Sequence, residues 1–164
     1  MNDTINILVR PAVENDFEEA LLLFEEGDKV HSEALPQVFR QVSGPARTEE
    51  YFTDLIRDKN SILFVAIYQE HLAGLITVNV REYPNVPIMI PRTYPYIGDI
   101  VVAEKYRRKG IGQMLMNRVQ SWAKEKGIFQ LELNVWAFNE RAISFFEKSG
   151  YTTSRHQMWK RVDS

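Results

Sequence analysis

Apolar residues recur along this chain with two different periods, and the periods alternate from one segment to the next. Alternating positions or short continuous apolar runs predict strands, whereas recurrence every three to four residues predicts helices. The predicted strands are 5–10, 62–68, 72–80, 97–103, 131–135 and the strand-like tail 151–162. The predicted helices are 17–27, 48–58, 111–127 and 139–150. This order favours a mixed sheet with helices on both faces.

Capping residues define several of the predicted helix ends. Gly27 and Gly127 are expected to end the first and third helices, because glycine adopts the left-handed conformation that commonly follows a helix. Thr48 and Asn139 are expected to begin the second and fourth helices, since their side chains accept hydrogen bonds from free helix amides. We therefore expect compact helices with defined starts and stops.

Two segments lack either period. Residues 30–47 carry Pro36, Gly44 and Pro45, so we expect an irregular or weakly helical segment that covers a site. Residues 83–96 contain four prolines, which should prevent regular sheet there and leave a long loop.

Composition excludes several classes of protein. The chain has 164 residues and no cysteine, so disulfide scaffolds and cysteine-based zinc sites are impossible. No run approaches the roughly 20 apolar residues that span a bilayer, and the first residues do not resemble a secretory signal. The net charge of −2 argues against a uniformly basic nucleic-acid binder. We expect one domain over residues 1–164, soluble and cytoplasmic, with no nucleic-acid, membrane or metal partner.

The charge is unevenly distributed. Residues 1–35 contain nine acids and two bases, a net charge of −7, whereas the remainder carries +5. Such asymmetry often reflects solvated helix faces, but it also permits a basic site for an anionic ligand beside an acidic region for a cationic one.

The sharpest motif follows the strand 97–103 and reads Arg-Arg-Lys-Gly-Ile-Gly over residues 107–112. Glycines at 110 and 112 let a ligand approach the backbone, and the following helix offers amides without internal partners. This pattern predicts a phosphate cradle. It is not a P-loop, and the dinucleotide fingerprint fails because its third glycine would be Leu115. A solvated turn remains the alternative.

These residues resemble the acyl-CoA-binding signature of the GNAT superfamily of N-acetyltransferases, Arg/Gln-x-x-Gly-x-Gly/Ala after a buried strand. A later region is similar to the family's Asn-x-x-Ala-x-x-Phe-Tyr-x-x-x-Gly-Phe pattern, and the first strand also fits. The matching residues are Arg107, Gly110, Gly112, Asn139, Ala142, Phe145, Gly150, Tyr151 and the opening Val9 to Ala12. The resemblance therefore spans nearly the whole chain.

The resemblance implies an α+β, three-layer fold with a mostly antiparallel sheet of six to seven strands. It also implies an acetyl-CoA-dependent N-acetyltransferase that acts on a primary amine of a small molecule or peptide by direct attack in a ternary complex. No cysteine is present to carry an acyl group. The resemblance also makes a homodimer possible.

The resemblance further assigns roles to individual residues. A bulge in the strand before the loop would open a gap for the pantetheine arm. Residues expected to bind acetyl-CoA are Ile100, Val101, Val102, Arg107, Arg108, Lys109, Gly110, Ile111, Gly112, Gln113, Asn139 and Phe146. Asn139 is equally well explained as a helix cap.

Acetyl transfer needs a neutral amine, a polarised thioester carbonyl and a departing thiolate. By resemblance Asp99 is the general base, although it could instead satisfy loop amides, and backbone N–H groups near Val101 would polarise the carbonyl. The family's acidic Tyr falls at Phe146, which cannot donate a proton. His31 is the candidate acceptor contact. The alternatives are a catalytically weak acyl-CoA-binding sensor or partner module, and a nucleotide-binding regulator.

Overall fold

The computed structural model describes residues 6–44 and 46–162. Its sheet has five strands in the order β1-β2-β3-β4-β5, of which the first four pair antiparallel while β5 runs parallel to β4. The strands are β1 Ile7–Pro11, β2 Ser61–Tyr68, β3 His71–Glu82, β4 Thr93–Val102 and β5 Glu132–Leu133. The mixed, mostly antiparallel sheet is confirmed, whereas the expected six to seven strands are wrong for the described chain. Ile5 lies outside the described residues.

The expectation that prolines exclude sheet from residues 83–96 is wrong at its end, because β4 already begins at Thr93. Pro95 pairs with Val80 of β3, and the Val80 amide donates to Asn60 O at 2.7 Å on the β2 side. The two residues therefore form a non-hydrogen-bonded pair, in which β3 needs no amide from its partner. Proline is tolerated at this register position for that reason.

The described residues form four helices. They are α1 Phe17–Ala34, α2 Glu49–Arg57, α3 Ile111–Glu125 and α4 Glu140–Lys148. The Thr48 cap is confirmed, since its side chain accepts from the Tyr51 amide at 3.1 Å.

Helices α1 and α3 lie on opposite faces of the sheet. A Cβ on Gly74 would come within 3.2 Å of Ile111 in α3, and Gly74 pairs with Val102. The next residue along β4, Val101, instead contacts Gly27 of α1. Because successive strand residues point to opposite faces, the predicted placement of helices on both faces is confirmed.

Gly27 does not end α1, which continues for two more turns to Ala34. A Cβ on Gly27 would lie 2.9 Å from Val101 Cγ2, closer than packed carbon atoms approach. The glycine therefore allows the helix to contact β4, and the irregular segment begins at residue 35 rather than 30.

Contacts divide the chain into two compact units, Met1–Asn134 and Val135–Ser164, and the single domain over 1–164 stays a prediction. The second unit contains α4. Phe146 of this helix is 7% exposed, and its ring packs against those of Phe145 and Tyr151.

The predicted strand over the tail 151–162 is wrong. The structure assigns no strand there, and Met158, Trp159 and Val162 are largely exposed. Strand composition alone does not make a strand, because pairing requires a second strand and the described part of this unit contains only a helix. None of the described helices is both long and apolar enough to cross a membrane.

Candidate active site around the β4 bulge

A bulge interrupts β4 in the middle of its pairing with β3. Ile76 pairs with Ile100 and Val78 with Ile97, so Gly98 and Asp99 together oppose the single residue Thr77. A Cβ on Gly98 would lie 2.8 Å from Thr77 Oγ1. Bulges re-aim side chains, and this one fixes where Asp99 points.

Thr77 holds Asp99 on both its backbone and its side chain. The Asp99 amide donates to Thr77 Oγ1 at 2.8 Å, and the Thr77 hydroxyl donates to Asp99 Oδ2 at 3.2 Å. Thr77 is only 3% exposed, whereas about a third of the Asp99 side chain, 34%, is accessible. One carboxylate oxygen is thus fixed by a hydrogen bond, whereas Oδ1 lies on the α1 face and accepts no hydrogen bond from the described residues.

Beyond the bulge, the outer edge of β4 has no strand partner in the described chain. Pairing with β5 is limited to Tyr96 and Ile97. The amides of Asp99 and Ala103 both point toward β3. Since directions alternate along a strand, the amides of Ile100 and Val102 point to the open edge.

This alternation distinguishes among the candidate oxyanion donors near Val101. It directs the Val101 amide toward β3 and favours Ile100 and Val102 over Val101 for contact with a ligand. The half-buried apolar strand residues 100–102 and the free edge together form a slot in which an extended arm could bind.

The loop after β4 ends in a row of unused backbone donors. Gly110, the N-cap of α3, has φ +78°, and Arg108 is also left-handed with φ +61°. Among residues 6–44 and 46–162, no acceptor is found for the amides of Arg108, Lys109, Gly110, Ile111 and Gly112. No acidic side chain lies in the first turn of α3. These amides form a cradle that could hold an anion at the positive end of a helix dipole.

Arg107 connects this loop to β4 and α1. Its Nε donates to Val102 O at 3.0 Å and its Nη2 to Glu26 Oε1 at 3.0 Å, while Glu26 also accepts from the Glu104 amide. The side chain predicted to bind cofactor is therefore engaged in fixing the loop to α1. The other two cations of the motif are Arg108, which is exposed, and Lys109, which is half-buried with its Nζ 5.4 Å from the centroid of the Tyr68 ring. Gln113 lies beside the cradle, with its side chain donating to Asn117.

An ion-pair cluster lies on the α1 side of Asp99. Arg47 donates to Asp28 at 2.5 and 3.3 Å, and its Cζ stands 4.3 Å from the centroid of the Phe24 ring. The second Arg47 nitrogen, Nη2, is 3.6 Å from Asp99 Oδ1. Burial alone would lower the pKa of Arg47, but the hydrogen bond to Asp28 and the charge of Asp99 outweigh burial and raise it. Arg47 is thus a permanent cation.

His31 lies in the last turn of α1, not in the irregular segment. Its Nδ1 is 3.0 Å from Gly27 O, and its ring packs 5.2 Å from that of Phe39. Its contact with an acceptor stays a prediction.

Two predicted cofactor residues belong to the second unit. Asn139 Oδ1 accepts from the Ala142 amide at 3.1 Å and so acts as a helix cap. Phe146 is packed between rings, and Tyr151 Oη beside it is buried without a hydrogen-bond partner in the described chain. Burial raises the pKa of Tyr151 to about 12.

The sequence did not identify Thr77, Arg47, Asp28 or Glu26 as site residues. Thr77 is a polar residue in an otherwise apolar stretch of β3, which is a usable signal, whereas the others depend on how α1 lies across β4. No group of three or more potential metal ligands occurs among the residues the structure describes.

The chain is similar to known proteins over most of its length. A model of the Acetyltransferase (GNAT) family matches residues 27–151. The crystal structure of a mutant of the BH1408 protein from Bacillus halodurans is similar, with a TM-score of 0.90 at 25% identity, covering 94% of this chain and 99% of that one.

Two curated relatives match shorter stretches. An L-ornithine N5-acetyltransferase of Arabidopsis thaliana is 38% identical over 71 residues, which is 43% of this chain and 31% of the relative. A thialysine N-epsilon-acetyltransferase of Bos taurus is 38% identical over 55 residues, 34% of this chain and 32% of the relative. The chain thus spans about a third of the length of these two relatives.

Proposed function

Because the chain belongs to the acetyltransferase (GNAT) family, we propose that it is an acetyl-CoA-dependent N-acetyltransferase that acts on primary amines of small molecules or peptides. The free amides of residues 108–112 carry this proposal, because five consecutive donors without acceptors suit the pyrophosphate of CoA. The open edge of β4 adds a slot for the pantetheine arm, with the Ile100 and Val102 amides pointing into it.

Direct transfer requires no covalent enzyme intermediate. The acceptor nitrogen attacks the thioester carbonyl carbon, a C–N bond forms, the C–S bond breaks, and the sulfur leaves as thiolate. Asp99 Oδ1 takes the proton from the nitrogen, directly or through one water. An edge amide of β4 stabilises the oxyanion that exists after the amine attacks and before the thiolate leaves. Since Phe146 cannot donate a proton, the thiolate leaves unassisted or with help from water; a thiol of pKa about 8.5 is a tolerable leaving group.

The acceptor is proposed to be a cationic amine. The surroundings of Asp99 include Asp28 and one resident cation, Arg47, and are net negative. The relatives named for L-ornithine and thialysine both modify side-chain amines of amino acids. These two compounds, with a linear diamine and a peptide with a free N-terminus, make a rational first panel.

A second candidate is a weak or inactive acyl-CoA-binding module, favoured because the sequence has Phe146 where the family's motif has its acidic Tyr. The two functions differ in turnover and not in binding. A sensor would bind CoA without releasing thiol in the presence of amines.

The test is CoA release, followed with a thiol reagent, from acetyl-CoA and each amine of the panel. We expect at least one amine to raise thiol release well above the rate of acetyl-CoA hydrolysis, with the acetylated product detected by mass spectrometry. Binding of acetyl-CoA without turnover on any amine would support the sensor. Tighter binding of ATP or NAD than of CoA would overturn both.

A further inference from the structure

Arg47 is held close to Asp99 without being bonded to it. Its two short contacts go to Asp28, and Phe24 supports the flat face of the guanidinium. The 3.6 Å separation from Asp99 Oδ1 exceeds a hydrogen-bond distance. Asp28 and Phe24 therefore hold the positive charge of Arg47 near Asp99, and Arg47 does not form a hydrogen bond with Asp99.

A fixed cation at this place changes the protonation of whatever binds next to it. Amines arrive mainly as ammonium ions near neutral pH, but only the neutral amine attacks a thioester. A guanidinium a few ångströms away disfavours the ammonium, and it therefore opposes the carboxylates of Asp99 and Asp28, which favour the ammonium.

We infer that Arg47 is a positioning residue which places a fixed charge beside Asp99, so that the bound acceptor amine loses its proton more readily than it would without Arg47, with Asp28 holding Arg47 at its distance. This role rests on the proposed N-acetyltransferase activity. Among the described residues, the charged or titratable groups that act on the Arg47–Asp99 pair are Asp28 on α1 and Tyr51 on α2, while β3 contributes the neutral hydroxyl of Thr77.

Two substitutions should move the pH profile in opposite directions. Arg47→Gln removes the cation, so the protonated acceptor persists to higher pH and the acid limb of kcat/KM moves up by about half a pH unit, roughly threefold in rate at fixed pH. Asp28→Asn removes the offsetting anion, so the limb moves down by a similar amount. Arg47→Lys, which keeps the charge, should retain most of the native profile.

Matched controls carry the same change in net charge elsewhere. Arg57→Gln alters an exposed ion pair with Glu14, and Glu33→Gln alters an exposed pair with Lys29 on α1. Neither should move the limb. The assay measures CoA release between pH 5.5 and 9 with the best amine of the panel, and melting temperatures confirm that each variant is folded.

The outcomes separate the two proposals. Opposite shifts for Arg47→Gln and Asp28→Asn support the role of Arg47. If the native enzyme turns over but both variants shift the same way, or lose activity without a shift, Arg47 is merely structural and the role is wrong. A native protein that releases no CoA with any amine overturns the proposed function and this role with it.

Discussion

Gly27 of α1 lies directly against Val101 of β4, at a distance that a side chain would make too short. A Cβ on Gly27 would meet Val101 Cγ2 at 2.9 Å. The same stretch of α1 places Glu26 on Arg107 and Asp28 on Arg47. The helix thus determines both the loop that would hold CoA and the surroundings of the candidate base.

Gly27→Ala should therefore destabilise the protein, although alanine is the better helix former. The gain in helix propensity is about 1 kcal/mol, while overpacking typically costs about 1–3 kcal/mol. We expect a net loss of about 1 kcal/mol in the free energy of unfolding, measured by urea denaturation. Gly27→Ala should cost less unfolding free energy in the Val101→Ala background than it does in the native protein. Purely additive losses would show that the two residues do not collide.

Acetyl-CoA and CoA should stabilise the native fold. Ligand at 100 times its Kd adds about 2.7 kcal/mol, or roughly 5–10 °C in Tm for a chain of this size. Gly110→Glu should abolish the shift, since it places a carboxylate at the cradle. Gly127→Glu is the matched control, because Gly127 also has a positive φ and open space around it but lies after the other end of α3. Equal ligand shifts in both variants would argue against the cradle.

Asp99→Asn should lower turnover by roughly ten- to a thousandfold while leaving the affinity for acetyl-CoA nearly intact. The amide keeps the shape of the side chain and can still bond Thr77, but it cannot accept a proton. Steady-state CoA release and a thermal-shift titration with acetyl-CoA measure the two quantities. Asp54→Asn, at an exposed position of α2, is the control. Full activity of the Asn variant across pH 6–9 would remove Asp99 from the mechanism.

Tyr151 predicts a stability change at high pH. Burial raises its pKa from 10.0 to about 12, so the unfolded chain loses this proton first. The contribution of the neutral phenol is complete below pH 10 and is lost as the pH rises through 12. Native protein should therefore lose more unfolding free energy between pH 9 and 11.5 than Tyr151→Phe does, in parallel urea titrations.

At pH 8 the same variant tests the missing hydrogen bond. Removing a buried hydroxyl without a partner should leave stability unchanged or raise it by about 1 kcal/mol. A marked loss at pH 8 would mean that the hydroxyl is bonded after all.

The sequence predicted the elements better than their ends. Strands β2 and β3, the α2 cap and the loop at 107–112 follow from local periodicity, capping residues and glycine placement, which act over a few residues. The predicted end of α1 at Gly27 was wrong, because this glycine is needed for the close contact with Val101 and does not end the helix. The tail was read as a strand from composition alone, although a strand exists only through its partner.

The candidate site was predicted only in part, because some of its residues are neighbours in the sequence and others are not. The cradle is contiguous in sequence, so its residues could be recognised together. Arg47, Asp28 and Thr77 come from three separate elements, and only the packing of α1 over β4 brings them to Asp99. A local sequence pattern cannot predict this contact between separate elements.

The unpaired edge of β4 also bears on how this protein behaves when it is handled. Bare amides on the uncharged stretch from Ile100 to Val102 resemble the edges along which sheets of separate molecules join. A pantetheine arm in the slot would occupy the same donors. The ligand-free protein should therefore be the form most prone to strand-by-strand self-association, and storage with CoA should protect it.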